Sequence, residues 1–259
     1  MFEDTAIEKL GFSLEKGGAH TARTMMFDEL SILLDYVEIP NARKSDYKSA
    51  IQDKNCLAKR STKSRILTFR HLVDLYSLDV EVPLFRALIF FWHRDLNSRP
   101  LLGLLCAYCR DAILRQSATL IQNTTTGSIL TRQAMQQHID SFQPGRFSEA
   151  TLRSTAQNVN STWTQSGHLS GRACKIRTIP IASAASVSYA LMIGYLTQER
   201  GLSLFQTEYM RLLDCSVEKA IELAEEASRK GWIVFKRVGN VMEVVFPQLK
   251  VDCNIEGKS

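Results

Sequence analysis

The stretch TLRSTAQNVNSTWTQSGHLSGRACKIRTIPI, residues 151–181, gives the clearest indication of the fold in this sequence. A helical stripe of apolar residues runs through its first part, at Leu152, Ala156, Val159 and Trp163. Ser148 is placed to cap the start of that helix, and Gly167 is placed to end it. RACKIRTIPI then alternates apolar with basic residues, which predicts a short strand directly after the helix.

The segment before this stretch completes a small module. TRQAMQQHIDSF predicts another helix, and QPGR predicts the turn that joins it to the next one. The order helix, turn, helix and strand is typical of a winged helix, so we interpret residues 131–182 as a winged-helix-like module. The preceding QNTTTGSIL is interpreted as a loop.

A similar order follows in residues 183–259. Helices are predicted over residues 184–199, 204–213 and 217–230, and WIVFKRVGNVMEVVF predicts a hairpin. Its Val238-Gly239-Asn240 stretch supplies the residues that a tight turn requires. We therefore interpret this segment as a second winged-helix-like module, with the stronger hairpin signal of the two.

The N-terminal half is predicted to be helical. Three short helices in residues 1–82, the last capped by Ser61 or Thr62 with Ile66, Leu72 and Tyr76 on its inner face, have the size of a helix-turn-helix unit. Residues 83–130 are the most apolar part and predict a central hairpin of helices 83–95 and 100–121. The predicted fold is mainly α, with helix-turn-helix or winged-helix-like units and a C-terminal winged helix carrying a small β-hairpin.

The polar side of the helix that ends at Gly167 has two interpretations. Ser, Thr, Asn and Gln lower helix propensity, but they suit a duplex groove, where amides pair with adenine and hydroxyls reach phosphates. An ordinary solvated face is the alternative. On the first interpretation, the residues of this module that contact DNA are Arg146, Arg153, Gln157, Asn158, Asn160, Arg172, Lys175 and Arg177.

Charge is concentrated in the middle of the chain. Residues 41–177 carry 20 Lys and Arg against 9 Asp and Glu, whereas the segments on both sides are net acidic. A second run of predicted phosphate contacts lies there, in Lys54, Lys59, Arg60, Lys63 and Arg65, although a solvated face would also explain it. If six cations from the two groups neutralise phosphates in one groove, log affinity should fall with log salt at a slope of about −5.

Other features argue against catalysis and against a membrane. The sequence shows no Gly-rich phosphate loop and no histidine spacing typical of a metal site, so we expect no enzyme activity, cofactor or metal. Six scattered cysteines and an acidic N-terminus predict free thiols in a cytoplasmic protein without a membrane span. The helix over 217–230 is acidic, which favours a protein-binding or scaffold surface there.

Three segments carry a family resemblance: NCLAKRSTKSRILTFRHLVDLY, PLFRALIFFWHRD with RPLLGLLCAYCRDAILR, and FSEATLRSTAQNVNSTWTQSGHLSGR. Together they resemble the BrxA proteins of BREX bacteriophage-defence systems, over residues 55–172. The resemblance implies a small helical, winged-helix-like protein that binds duplex DNA and serves a defence complex without catalysing a reaction. The chain is longer at its C-terminus than the resemblance leads us to expect.

The leading hypothesis is therefore a non-enzymatic duplex DNA-binding accessory protein of a phage-defence system, with weak sequence preference. Other proteins of that system are its expected partners, through residues 183–259. One alternative is a transcriptional regulator with a defined operator, which would need dimer symmetry and strong discrimination against random duplex. The other is an adaptor that binds an acidic protein through its basic residues and never touches nucleic acid.

Overall fold

A computed structural model describes residues 4–14, 17–38, 41–239 and 241–249. The described chain is mainly helical, with two small antiparallel sheets. The N-terminal helices are α1 (Asp4–Leu10), α2 (Phe27–Tyr36), α3 (Lys44–Gln52) and α4 (Thr62–Tyr76), and a 3₁₀ turn, Ala19–Thr21, lies between α1 and α2. Of the described helices, none is long and apolar enough to cross a membrane.

Helix α4 begins where the sequence predicts, because the Ser61 side chain accepts a hydrogen bond from the Ser64 N–H at 3.2 Å. Its inner face agrees with the prediction at Leu72 and Tyr76 and differs at Ile66. Ile66 is 49% exposed, and the buried residues are Thr68, Leu72, Leu75 and Tyr76. The helix is rotated toward the N-terminal segment, where the Tyr76 hydroxyl donates to the Met25 carbonyl at 2.5 Å.

The apolar centre consists of α5 (Pro83–Trp92), α6 (Arg99–Arg110) and α7 (Ala112–Asn123). The prediction of one continuous helix over 100–121 is wrong, because the backbone leaves the helical conformation at Asp111. The Asp111 side chain accepts hydrogen bonds from the N–H groups of Ile113 and Leu114 and so caps a new helix. The helical spacing of apolar residues continues across Asp111, so the sequence pattern does not reveal the break.

The next elements are β1 (Ile129–Leu130), α8 (Arg132–Phe142), α9 (Glu149–Gln165), β2 (Leu169–Ser170) and β3 (Lys175–Arg177). The three strands form an antiparallel sheet in the order β1-β3-β2. Strand β3 is three residues long, shorter than the predicted RACKIRTIPI, and β1 lies in the segment that was interpreted as a loop. Both predicted helix boundaries at Ser148 and Gly167 are confirmed, since Ser148 caps α9 and Gly167 follows it with φ +86°.

The C-terminal elements are α10 (Ala184–Leu196), a 3₁₀ helix (Gly201–Gln206), α11 (Glu208–Arg211), α12 (Val217–Arg229) and the hairpin strands β4 (Val234–Val238) and β5 (Val241–Val245). The hairpin prediction is confirmed, with Val238 paired to Val241 and Gly239 at φ +59°. Asn240, the third residue of the predicted turn, lies outside the described residues. Helix α10 is buried on nearly all sides and packs against α5, α6, α11 and α12, so it forms the centre of the C-terminal half.

The cysteines within the described chain, Cys56, Cys106, Cys109, Cys174 and Cys215, are free thiols, and Cys253 lies outside it. Cys106 and Cys109 are buried in α6. Burial raises the pKa of Cys106 to about 11 and also raises that of Cys109. Both thiols therefore stay protonated and serve as small core residues.

Candidate nucleic-acid interface

Pairing between β1 and β3 brings the start of α8 close to the turn between β2 and β3. Leu130 pairs with Lys175 and Ile129 pairs with Ile176. Thr131 then caps α8 by accepting a hydrogen bond from the Ala134 N–H at 3.0 Å, so Arg132 is the first residue of that helix. A cation of α8 and a cation of β3 consequently lie at the same edge of the module.

Helix α9 tolerates its many hydroxyl residues because most of them bond to the helix itself. The hydroxyls of Thr155, Ser161 and Thr164 each donate to the carbonyl four residues earlier, at 2.7–2.9 Å. The apolar side holds the helix in place, with Trp163 fully buried and its indole N–H donating to the Ser117 hydroxyl at 2.8 Å. The side chains left free for contacts outside the protein are therefore few.

A cleft of about 450 Å³ opens between the outer side of α9, the start of α8 and the β2–β3 turn. The lining contains three cationic side chains, two amides, one hydroxyl and two apolar residues. The lining residues are Leu130, Arg132, Gln157, Asn160, Ser161, Arg172, Ala173 and Lys175. Four of the sequence-predicted contact residues thus share one concave surface, namely Gln157, Asn160, Arg172 and Lys175.

The cleft is electropositive, and one residue of its lining has a buried polar atom without a hydrogen-bond partner in the protein. Arg132 and Arg172 are exposed, while the Lys175 ammonium donates to the Gly171 carbonyl at 2.7 Å. Partial burial lowers the pKa of Lys175 because it destabilises the charged ammonium. A bound anion would stabilise the ammonium and so oppose this shift. Asn160 is only 4% exposed, and its Oδ1 has no hydrogen-bond partner in the protein.

The turn behind the cleft depends on a glycine. Gly171 has φ +88°, and a Cβ at this position would lie 2.1 Å from the Cys174 carbonyl oxygen. Any larger residue would displace the turn that carries Arg172. The close approach of backbone to backbone therefore constrains the backbone of Arg172.

The other predicted contacts on α8–α9 lie outside this lining. Arg153 is exposed on the first turns of α9. Arg146 lies over the Phe147 ring, 5.0 Å from its centroid, and also bonds to Gln143. Asn158 is half-buried and donates to the His20 carbonyl at 3.0 Å, so its amide fastens the N-terminal segment to α9.

The expectation that Arg177 of β3 contacts DNA does not agree with the position of its side chain. Its side chain is 3% exposed, and its guanidinium pairs with the Asp214 carboxylate at 2.6 Å. The same guanidinium donates to the Ile121 carbonyl at 2.9 Å. These buried contacts join β3 to α7 and to the segment after α11, so Arg177 does not belong to the candidate interface.

The run of predicted phosphate contacts between α3 and the start of α4 contains both residues that bond within the protein and residues that are exposed. The Lys59 ammonium pairs with Glu29 at 3.0 Å, and the Arg65 guanidinium donates to the Gln52 carbonyl at 2.6 Å. Lys54, Arg60 and Lys63 have exposed side chains. The connection from α3 to α4 therefore leaves three of its five predicted cations for contacts outside the protein.

The 3₁₀ turn Ala19–Thr21 connects the two helices that carry these groups, because both α4 and α9 pack against it. The contacts of that turn position α4 relative to α9. The cleft itself consists of residues from β1, α8, α9 and the β2–β3 region, without a contribution from α4.

Sequence reasoning missed Arg132 and Ser161 as members of the cleft. Arg132 was not singled out because the two residues of β1 are too short to produce a strand pattern, so the pairing that places Arg132 near Lys175 was not visible. No local signal in the sequence marks that pairing. Ser161 lies one turn after Gln157 and was read as part of a general polar face.

Within the described ranges, no group of three or more His, Cys, Asp or Glu side chains could hold a metal ion. No model of a known protein family matches the chain. No curated protein matches it significantly in sequence.

Proposed function

We propose that the chain is a non-enzymatic, duplex DNA-binding accessory protein of a BREX-type phage-defence system, and that it binds mainly through phosphate contacts. The observation that carries this proposal is the cleft in which Arg132, Arg172 and Lys175 lie beside the amides of α9. Phosphate contacts supply most of the affinity of such proteins, and amide side chains suit base edges in a groove.

The order of elements supports a winged-helix interpretation of the same region. Helix α7, strand β1, helices α8 and α9 and strands β2 and β3 follow one another, and the sheet order is β1-β3-β2. In this interpretation α9 is the recognition helix and the β2–β3 turn is the wing. Exposed Arg153 and Gln157 are then directed at the duplex from the helix, and Arg172 contacts the backbone from the wing.

The C-terminal module has a different proposed role. Glu218, Glu222 and Glu225 are exposed at positions four and three residues apart on α12, which would repel phosphate. Lys219 pairs with Glu222 and Lys230 with Glu226, so two of the nearby cations are already engaged. We propose that this acidic surface binds other proteins of the defence system.

A salt series of duplex affinity tests the DNA proposal. Four phosphate contacts are proposed from the module, by Arg132, Arg153, Arg172 and Lys175, and at about 0.9 per phosphate they give a slope of log affinity against log salt of about −3.6. Arg172→Ala should make the slope about 0.9 less steep and weaken binding equally for unrelated duplex sequences. No binding at low salt, or a flat salt response, would remove the proposal.

A matched control is available in the hairpin. Arg237 on β4 is also exposed, and Arg237→Ala removes the same charge from the C-terminal module. The proposal requires that this variant keeps the wild-type slope. An equal loss in both variants would indicate that only total charge matters, and not the cleft.

The second candidate is an adaptor that binds an acidic protein through its basic residues, and the exposed side chains of Lys54, Arg60 and Lys63 favour it. Here charge reversal at Lys59, Arg60 and Lys63 should abolish binding to a purified acidic partner and leave any retention on DNA unchanged. If the chain shows no duplex binding but still forms the complex, the adaptor is the better assignment.

A further inference from the structure

The two sides of the β4–β5 hairpin differ in what they contact. Side chains alternate along each strand, so Phe235, Met242 and Val244 lie on the side that packs against the C-terminal core. The opposite side, which we call the hairpin outer face, carries the cross-strand pairs Val234 with Val245, Lys236 with Glu243, and Val238 with Val241. The hairpin outer face is therefore mostly apolar, although it is turned away from the core.

The valines of the hairpin outer face are exposed as pairs. Val238 is 80% exposed and Val241 is 74% exposed, and they are cross-strand neighbours at the turn. Val245 at the other end of the hairpin is 38% exposed. Apolar pairs at both ends of one face are typical of an interaction surface rather than of scattered exposed residues.

The middle of the hairpin outer face carries one charge of each sign. Lys236 Nζ lies 3.8 Å from Glu243 Oε2, and the two side chains are 70% and 61% exposed. An ion pair that is this exposed contributes little to the stability of the fold. It does determine which surfaces can cover the valines, because a partner has to present an anion to Lys236 and a cation to Glu243.

We propose that the hairpin outer face binds the same face of a second copy of this chain. A two-fold symmetric interface requires a surface that is complementary to itself. With the two-fold axis between the faces and parallel to the strands, β4 of each copy lies over β5 of the other. Lys236 of each copy then meets Glu243 of the other copy, and the valine pairs at each end meet their counterparts.

The size of the hairpin outer face sets the expected strength of the dimer. Its six side chains are far fewer than the roughly 20 to 30 residues that each partner contributes to a standard interface. The dimer should therefore be weak, with a dissociation constant on the order of 10–100 µM. The proposal goes beyond the proposed DNA function and does not rest on it, because the cleft and the hairpin consist of different residues.

Sedimentation velocity of the full chain without DNA tests for the dimer. Between about 5 µM and about 500 µM, the weight-average sedimentation coefficient should rise from the value of a monomer toward that of a dimer. A chain that stays monomeric up to the highest concentration overturns the proposal.

Charge reversal distinguishes this face from any other dimer surface. Lys236→Glu makes both central residues acidic, and Glu243→Lys makes both basic, so each variant alone should dimerise about tenfold more weakly than the wild type. An equimolar mixture of the two variants should recover dimerisation at the same total concentration, because an acidic face then meets a basic one. Wild-type dimerisation of the single variants, or a mixture that does not recover, overturns the proposal.

A second variant tests the apolar contacts, and a third is the matched control. Val238→Ser with Val241→Ser should weaken dimerisation more than tenfold, and the exposure of both residues should leave the urea unfolding midpoint unchanged. Arg237→Glu makes the same charge change as Lys236→Glu in the same strand, but on its other side, and should leave dimerisation unchanged. An equal loss in Arg237→Glu and Lys236→Glu would mean that net charge alone controls association, which contradicts the proposal.

Discussion

His20 Nδ1 lies 2.8 Å from Asp111 Oδ2, and both side chains are almost completely buried. His20 Nε2 lies 2.9 Å from the Thr162 hydroxyl, which also accepts a hydrogen bond from the Met25 N–H at 2.8 Å. These contacts link the N-terminal segment to the start of α7 and to α9. They cross two boundaries of the organisation predicted from sequence, at residues 82 and 130, so the candidate interface is supported by residues far away in the chain.

Asp111 is the centre of this cluster, and its replacement should be severe. Although burial by itself raises the pKa of Asp111, the His20 imidazole and the backbone N–H donors hold it below its usual range, so the carboxylate is charged. Asp111→Ala removes a helix cap and leaves the buried Nδ1 of His20 without its carboxylate partner. We expect a loss of about 3–5 kcal/mol in the free energy of unfolding, measured with urea.

Thr131→Ala is the matched control for the cap alone. It removes a single capping hydrogen bond at an exposed helix start and should cost about 1 kcal/mol. Equal losses for the two variants would show that the buried pair contributes nothing beyond capping.

Gly18 should tolerate no side chain. A Cβ on Gly18 would lie 2.2 Å from the Asp111 carboxyl carbon, so Gly18→Ala must displace the carboxylate from its donors. We expect a loss on the order of 2–3 kcal/mol in thermal or urea unfolding, in the range of other steric core changes. Gly145→Ala, where a Cβ meets open space but φ is +74°, should cost about 1 kcal/mol.

His168 should make the fold sensitive to mild acid. Burial lowers the pKa of His168 to about 4, against the opposing effect of its hydrogen bond to the Leu212 carbonyl at 2.8 Å. A depressed pKa means that the unfolded chain binds the proton first, so this contribution to stability is complete above about pH 6.5 and is lost as the pH falls toward 4.

From pH 7 to pH 5, His168 should account for a stability loss of about 2 kcal/mol. His168→Gln keeps hydrogen-bonding groups but does not titrate. Between pH 7 and pH 5 the variant should therefore lose about 2 kcal/mol less stability than the wild type. Urea unfolding at the two pH values measures the difference. Parallel pH dependence in the variant and the wild type would contradict the assignment.

The sequence predicted the helices with local signals well, and it failed where distant partners decide. Ser148, Gly167 and the β4–β5 turn act within a few residues, so their caps and turns were visible. At Asp111, one carboxylate oxygen caps α7 and the other contacts His20, which lies 91 positions away. Strand β1 has two residues and exists because β3 pairs with it, which no pattern within QNTTTGSIL reveals.

The candidate site was only partly predictable, because the sequence shows residue type and spacing but not contacts between distant segments. Residue type and helical spacing identified Gln157, Asn160, Arg172 and Lys175, which share the cleft. The same reasoning could not separate Arg172 from Arg177, because burial of Arg177 depends on Asp214 in another module. It also could not anticipate that Lys59 is engaged by Glu29.

Arg172 and Arg177 should therefore respond in opposite ways to replacement. Arg177→Met removes a buried guanidinium from Asp214 and from the Ile121 carbonyl, and we expect about 3 kcal/mol loss of unfolding free energy. Arg172→Ala removes an exposed cation and should change stability by less than about 0.5 kcal/mol. The duplex salt slope should change for Arg172→Ala only, provided that Arg177→Met is measured at a temperature where it is folded.

We expect the cations of the α3–α4 connection and those of the cleft to bind the same duplex. Arg60 is exposed in the connection to α4, and Lys175 lines the cleft. If both contact phosphate, Arg60→Ala and Lys175→Ala should each make the salt slope less steep by about 0.9, and the double variant by about 1.8. Lys59→Ala should change the slope less, because its ammonium already pairs with Glu29 and releases fewer counterions on binding. A slope that Lys175→Ala changes and Arg60→Ala does not would restrict the interface to the cleft and assign the α3–α4 cations to solvent.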